Sequence, residues 1–120
     1  MLRTVTLLSL IAATPAMAFQ ARNTLMVQGS EARITVAPSA GQAAPQSWCA
    51  AGDFVIRALG RSPTTPVYRI SQAPRRAGQG VEFSLQADGA AAKSGLIEFG
   101  TDAAITAGHA QALCWIGRDK

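Results

Sequence analysis

Cys49 and Cys114 are the chain's two cysteines, and they lie downstream of an export leader. The leader is MLRTVTLLSLIAATPAMA: Arg3 carries the positive charge, residues 5–13 are largely apolar, and Ala16-Met17-Ala18 offers small residues where a signal peptidase reads them. The order predicts cleavage after Ala18, which leaves residues 19–120 as a single mature domain. An even cysteine count in an exported chain predicts a disulfide, here Cys49–Cys114. Closing a loop of that length stabilises a fold by roughly 4 kcal/mol in the chain-entropy model. A small domain has limited apolar surface with which to offset chain entropy, so the bond matters. The spacing is not that of a CxxC redox pair, and His109 alone could join the thiols around a metal. No metal or cofactor is therefore expected.

Composition narrows the class further. Of 120 residues, 48% are hydrophobic and 15% charged, which excludes a disordered or collagen-like chain. The length suits one domain. Lys and Arg number 11 against 7 acids, for a formal charge of +4, which falls to +3 when Arg3 leaves with the leader. The bases are mostly arginine and are spread along the chain, so they form no phosphate-tracking stripe and nucleic acid is not an expected partner. The abundance of arginine and alanine points to a GC-rich bacterial genome. The apolar stretch of the leader is shorter than the about 20 residues that a membrane helix needs, and no longer one follows. No cysteine follows the cleavage site, and a single arginine precedes the apolar core, so neither a lipid anchor nor a twin-arginine signal is indicated. The expected location is the bacterial periplasm or the medium.

Local patterns predict an α+β domain: an antiparallel sheet of about five to six strands curved around one helix, with one disulfide. Residues 24–28 and 32–37 flank Gly29-Ser30-Glu31 as a hairpin, and Ile34 and Val36 alternate with polar neighbours. The helix is placed at Ser47–Leu59, with Ser47 as N-cap and Gly60 as its stop. Trp48, Cys49, Ala51, Gly52, Val55, Ile56, Ala58 and Leu59 share its apolar face. Gly52 on that face predicts a close approach by another backbone. Asp53 and Arg57 lie opposite, as an i,i+4 pair expected on the solvent side. Further strands are expected at residues 67–71, 81–85, 96–99 and 112–116, and a loop at Pro74–Gly80. Residues 101–109 fit no single pattern.

The runs Ser47-Trp48-Cys49-Ala50-Ala51-Gly52-Asp53-Phe54, Pro74–Gly80, Gly108-His109-Ala110 and Leu113-Cys114-Trp115 give the chain a loose resemblance to a group of small exported bacterial proteins without assigned function. The resemblance covers most of the mature chain. It implies export and a shared fold, and it transfers no catalytic or binding residue.

The chemistry-bearing residues are sparse. His109 is the one general base near neutral pH, and a small hydrolase would have to recruit it with a serine and Asp53 or Asp102. No nucleophile-elbow pattern supports this, and no catalytic residue is assigned. Glu82 and Glu98 read as exposed strand charges. Arg75 and Arg76, beside Gly78 and Gly80 and with Arg69 nearby, are the first choice for binding an anion or an acidic partner. Trp48 is expected in the core, and Trp115 either over a second small cluster or partly exposed as a contact residue. The expectation is a non-catalytic binding module, its partner an acidic envelope protein or polysaccharide. The alternatives are an inhibitor of a secreted enzyme, the His109 hydrolase, and a minor subunit of an envelope assembly.

Overall fold

Short segments of alternating residues build one sheet. In the computed structural model, which describes residues 18–91, 95–96 and 104–115 together with Thr4, the strands are β1 (Phe19–Gln20), β2 (Met26–Gly29), β3 (Ile34–Val36), β4 (Pro66–Arg69), β5 (Val81–Ser84) and β6 (Ala104–Thr106). They lie in the order β1-β2-β3-β5-β4-β6, with every neighbouring pair antiparallel. Nearly all of the leader, Glu98, Asp102 and most of the strand expected at 96–99 lie outside the described residues.

Period-two alternation decides which face is buried. Ile34, Val36, Val67, Val81 and Phe83 are buried, while Thr35, Tyr68 and Glu82 between them are half-buried. The register places Ile34 opposite Phe83 and Val36 opposite Val81, so the core face is continuous across β3 and β5. On the other face the Arg33 guanidinium pairs with Glu82 across the strands (Nε to Oε1 3.0 Å). The hairpin between β2 and β3 turns where expected, and Gly29 occupies φ +129°, where an added Cβ would collide with the Arg33 carbonyl. Because β5 lies between β3 and β4 and runs antiparallel to both, β3 and β4 are parallel. The chain joins them through a helix, as parallel strands require.

That helix, α1 (Ala44–Asp53), starts three residues earlier than the sequence predicts. Pro45 lies in its first turn, where a missing N–H is tolerated, and the Gln46 side chain accepts the Ala43 N–H at 2.6 Å. Ser47 is therefore not the N-cap. It is buried, and its hydroxyl accepts from Gln42 Nε2 at 2.6 Å. Past Asp53 the helix widens into a π-helical turn, Phe54–Ala58, closed by the Leu59 N–H on the Phe54 carbonyl at 3.0 Å. Gly60 follows at φ +67°, the expected stop. Trp48 meets Phe83 edge-on, ring centroids 4.7 Å apart, and this contact seats α1 on the sheet.

The C-terminal part corrects the expected single helix and last strand. The residues of β6 run directly into α2 (Ala107–Ala112) and a 3-10 turn, Leu113–Trp115. Thr106 caps α2, its Oγ1 accepting the His109 N–H at 3.2 Å. The alternation in Ala112–Ile116 was the weaker signal. Ala107, Ala110, Leu113 and Cys114 are the buried residues here, at helical spacing. Helix α2 packs on α1 at Gly52, where a Cβ would stand 2.6 Å from the Gln111 nitrogen and 2.7 Å from the Ala107 carbonyl oxygen. The Cys49–Cys114 disulfide joins the two helical regions across a Cα separation of 4.8 Å, and both cysteines are buried.

Candidate functional site

Asp53 overturns the expected solvent face of α1: its carboxylate is 0% exposed. Two segments distant in sequence close over it. From the turn between β1 and β2, Arg22 gives its backbone N–H to Oδ2 (3.0 Å) and its Nε to Oδ1 (3.3 Å). From α2, Gln111 Nε2 reaches Oδ1 at 3.0 Å. Arg57, one turn along the same helix, gives Nη1 to Oδ2 at 2.7 Å, so the expected pair is present but one end of it is buried. Burying a carboxylate is tolerable when charge-assisted hydrogen bonds replace its water, and four donors do so here.

The turn that delivers Arg22 is tightly specified. The Ala21 N–H bonds the Leu25 carbonyl at 2.9 Å and the Thr24 N–H the Ala21 carbonyl at 2.8 Å, with Thr24 at φ +71°. Asn23 Nδ2 ties the turn to the Gln46 carbonyl of α1 at 2.8 Å. A β-branched residue in the left-handed region holds only where its surroundings demand it.

Aromatic rings are interleaved with the two guanidinium groups. Phe19 meets Phe54 edge-on with centroids 5.6 Å apart, and the Arg57 guanidinium sits 5.3 Å from the Phe19 ring centre. Arg22 sits 5.5 Å from the ring centre of Trp115. The Arg22 and Arg57 side chains are 42% and 43% exposed, and Trp115 is 52% exposed although its neighbour Cys114 is buried. Of the two readings for Trp115, the partly exposed one holds.

The three arginines singled out in the sequence do not share one surface. Arg69 is buried: it alternates with Val67 on the core face of β4, opposite Phe83. Its guanidinium donates to the carbonyls of Ser71 (Nε, 2.9 Å) and Gln72 (Nη2, 3.2 Å), and burial lowers its pKa. It is a core residue and no part of an exposed basic patch. Arg75 is half-buried and braces its own loop, with Nη1 on the Gln79 carbonyl (3.0 Å) and Nη2 on the Gln42 carbonyl (3.3 Å). Arg76 is exposed, as are Gly78 and Gln79.

His109 is exposed in the first turn of α2. Asp53, one of the two acids weighed as its partner, is held by Arg22, Arg57 and Gln111; Asp102, the other, lies outside the described residues. Among the described residues no three His, Cys, Asp or Glu side chains gather as a metal-binding group, and no helix is long and apolar enough to cross a membrane. No protein-family model matches the chain, and no curated protein or solved structure is detectably similar to it.

Two residues that close over Asp53 carry no signal of that role in the sequence. Arg22 lies in a stretch with no periodic pattern, and Gln111 lies between the ambiguous residues 101–109 and the strand expected at 112–116. The signal available was the Thr106 cap followed by Ala107, Ala110 and Cys114 at helical spacing.

Proposed function

We propose that the protein is an exported, non-catalytic binding module that recognises an anionic partner through arginine side chains. Export rests on the charge–apolar–small order of residues 1–18, which predicts cleavage after Ala18. The observation that carries the binding reading is the bracing of the 74–80 loop. Arg75 is spent on the carbonyls of Gln42 and Gln79, so the turn has a preset shape on which Arg76 stands outside. A loop ordered before binding loses less entropy when a ligand arrives. The Arg76 fork is the charge offered to a carboxylate or phosphate, with Arg75 holding it in place.

Binding of polyglutamate to the oxidised protein, followed as salt is raised, tests this. Affinity should fall as ionic strength increases, and Arg76→Ala should weaken it several-fold. Equal affinity in wild type and Arg76→Ala would remove the loop from the contact surface. Mass spectrometry of the secreted chain tests the export half, with Phe19 expected as the first residue.

A further inference from the structure

We infer that the face formed by Phe19, Arg22, Arg57 and Trp115 around the buried Asp53 is a docking surface for an acidic peptide segment of another protein. The inference rests on reading the protein as a binding module, but it does not depend on the 74–80 loop.

Three observations carry it. First, one carboxylate sets the direction of two guanidinium groups. Asp53 takes Arg22 through Nε and Arg57 through Nη1, which leaves both Nη groups of Arg22, and Nε and Nη2 of Arg57, without an acceptor among the described residues. Both guanidinium groups are already anchored by the same carboxylate, so less freedom is lost when a second acceptor arrives. Second, among the described residues two cations share one anion here, and the Arg22 and Arg57 side chains are 42% and 43% exposed. The complement to such a surface is a carboxylate, which a guanidinium fork binds through paired hydrogen bonds. Third, the cations are backed by rings: Arg57 over Phe19, and Arg22 over the half-exposed Trp115. Exposed tryptophan and arginine side by side are the residue types that dominate protein–protein contacts. They are also held rigidly, by the disulfide one residue before Trp115 and by the hydrogen-bonded turn around Arg22.

A protein segment fits better than a saccharide. A sugar ring stacks on an open indole face, whereas Trp115 carries a guanidinium over its ring. A peptide with acidic residues next to apolar ones satisfies both halves of the surface at once: carboxylates on the outer N–H groups, apolar side chains against the rim of Trp115.

The test presents the oxidised protein with a library of short peptides in which Glu or Asp alternates with Leu or Phe. A matched library with Gln and Asn in place of the acids, and polygalacturonate, serve as the other probes. The expected result is selective capture of acidic peptides, with affinity about tenfold weaker in Trp115→Ala and in Arg22→Gln. Trp115→Ala removes an exposed ring and keeps the Asp53 contacts, so it decides the matter if Arg22→Gln fails to fold. Capture of both libraries alike, retention of only polygalacturonate, or undiminished binding by Trp115→Ala would each overturn the assignment. Loss of peptide binding in Arg76→Ala, with Trp115→Ala unaffected, would shift binding to the loop and leave the proposed function standing without this face.

Discussion

Gly52 of α1 and Gln111 of α2 stand so close that a methyl group added to the glycine would lie 2.6 Å from the Gln111 backbone nitrogen. Backbone atoms cannot rotate aside as a side-chain tip can, so this separation fixes how near the helices pass. It also sets the reach of the Gln111 amide to Asp53, which lies one residue along α1. Gly52→Ala should therefore destabilise the fold by about 1–3 kcal/mol, although alanine is the better helix former by about 1 kcal/mol. Urea denaturation measures it, and a variant as stable as wild type would mean that the helices are free to separate.

Asp53→Asn separates a buried carboxylate from a surface ion pair. An exposed i,i+4 pair with Arg57 would be worth only about 0.3–0.5 kcal/mol. In the buried arrangement the asparagine NH₂ must point at one of the donors that now bond the carboxylate, and the loss should reach about 1–3 kcal/mol. A loss within the surface-pair range would contradict the burial of this residue.

The disulfide spans 65 positions and ties the middle of α1 to the turn after α2. The Cys49→Ala, Cys114→Ala double variant should lose about 2–5 kcal/mol, and a thiol reductant should lower the melting temperature of wild type but not of the variant. Thiol titration of the native protein should find no reactive group at either position. Two free thiols would refute the pairing.

Thr106 accepts the His109 N–H and so opens α2. Thr106→Ala should cost about 1 kcal/mol, with Thr106→Ser retaining most of the stability, because the hydroxyl does the capping. Hydrogen exchange at the amides of residues 107–110 would show whether the loss is confined to this helix.

The strands of the hairpin and of β5 were legible because alternation is a local signal: Ile34, Val36, Val81 and Phe83 show which face is buried without reference to any other segment. The place of Gly52 on the apolar face of its helix was legible for the same reason. Arg69 obeys the alternation of β4, whereas its charge alone suggests a surface cation. Whether a guanidinium at an inward position reaches accepting carbonyls depends on the path of the chain after the strand, here the carbonyls of Ser71 and Gln72.

Residue order alone was enough for the α+β class, the cysteine pairing and the helix after the first hairpin, because each follows from periodicity along the chain or from a count. Tertiary structure decided the burial of Asp53 and the ring of arginines and aromatics around it. Arg22 and Gln111 come from 31 and 58 positions away, and the polar stripe of a helix becomes an interior only when such distant segments close over it. Burial of charge is a property of the assembled surface, and no local pattern encodes which parts of the chain will meet there.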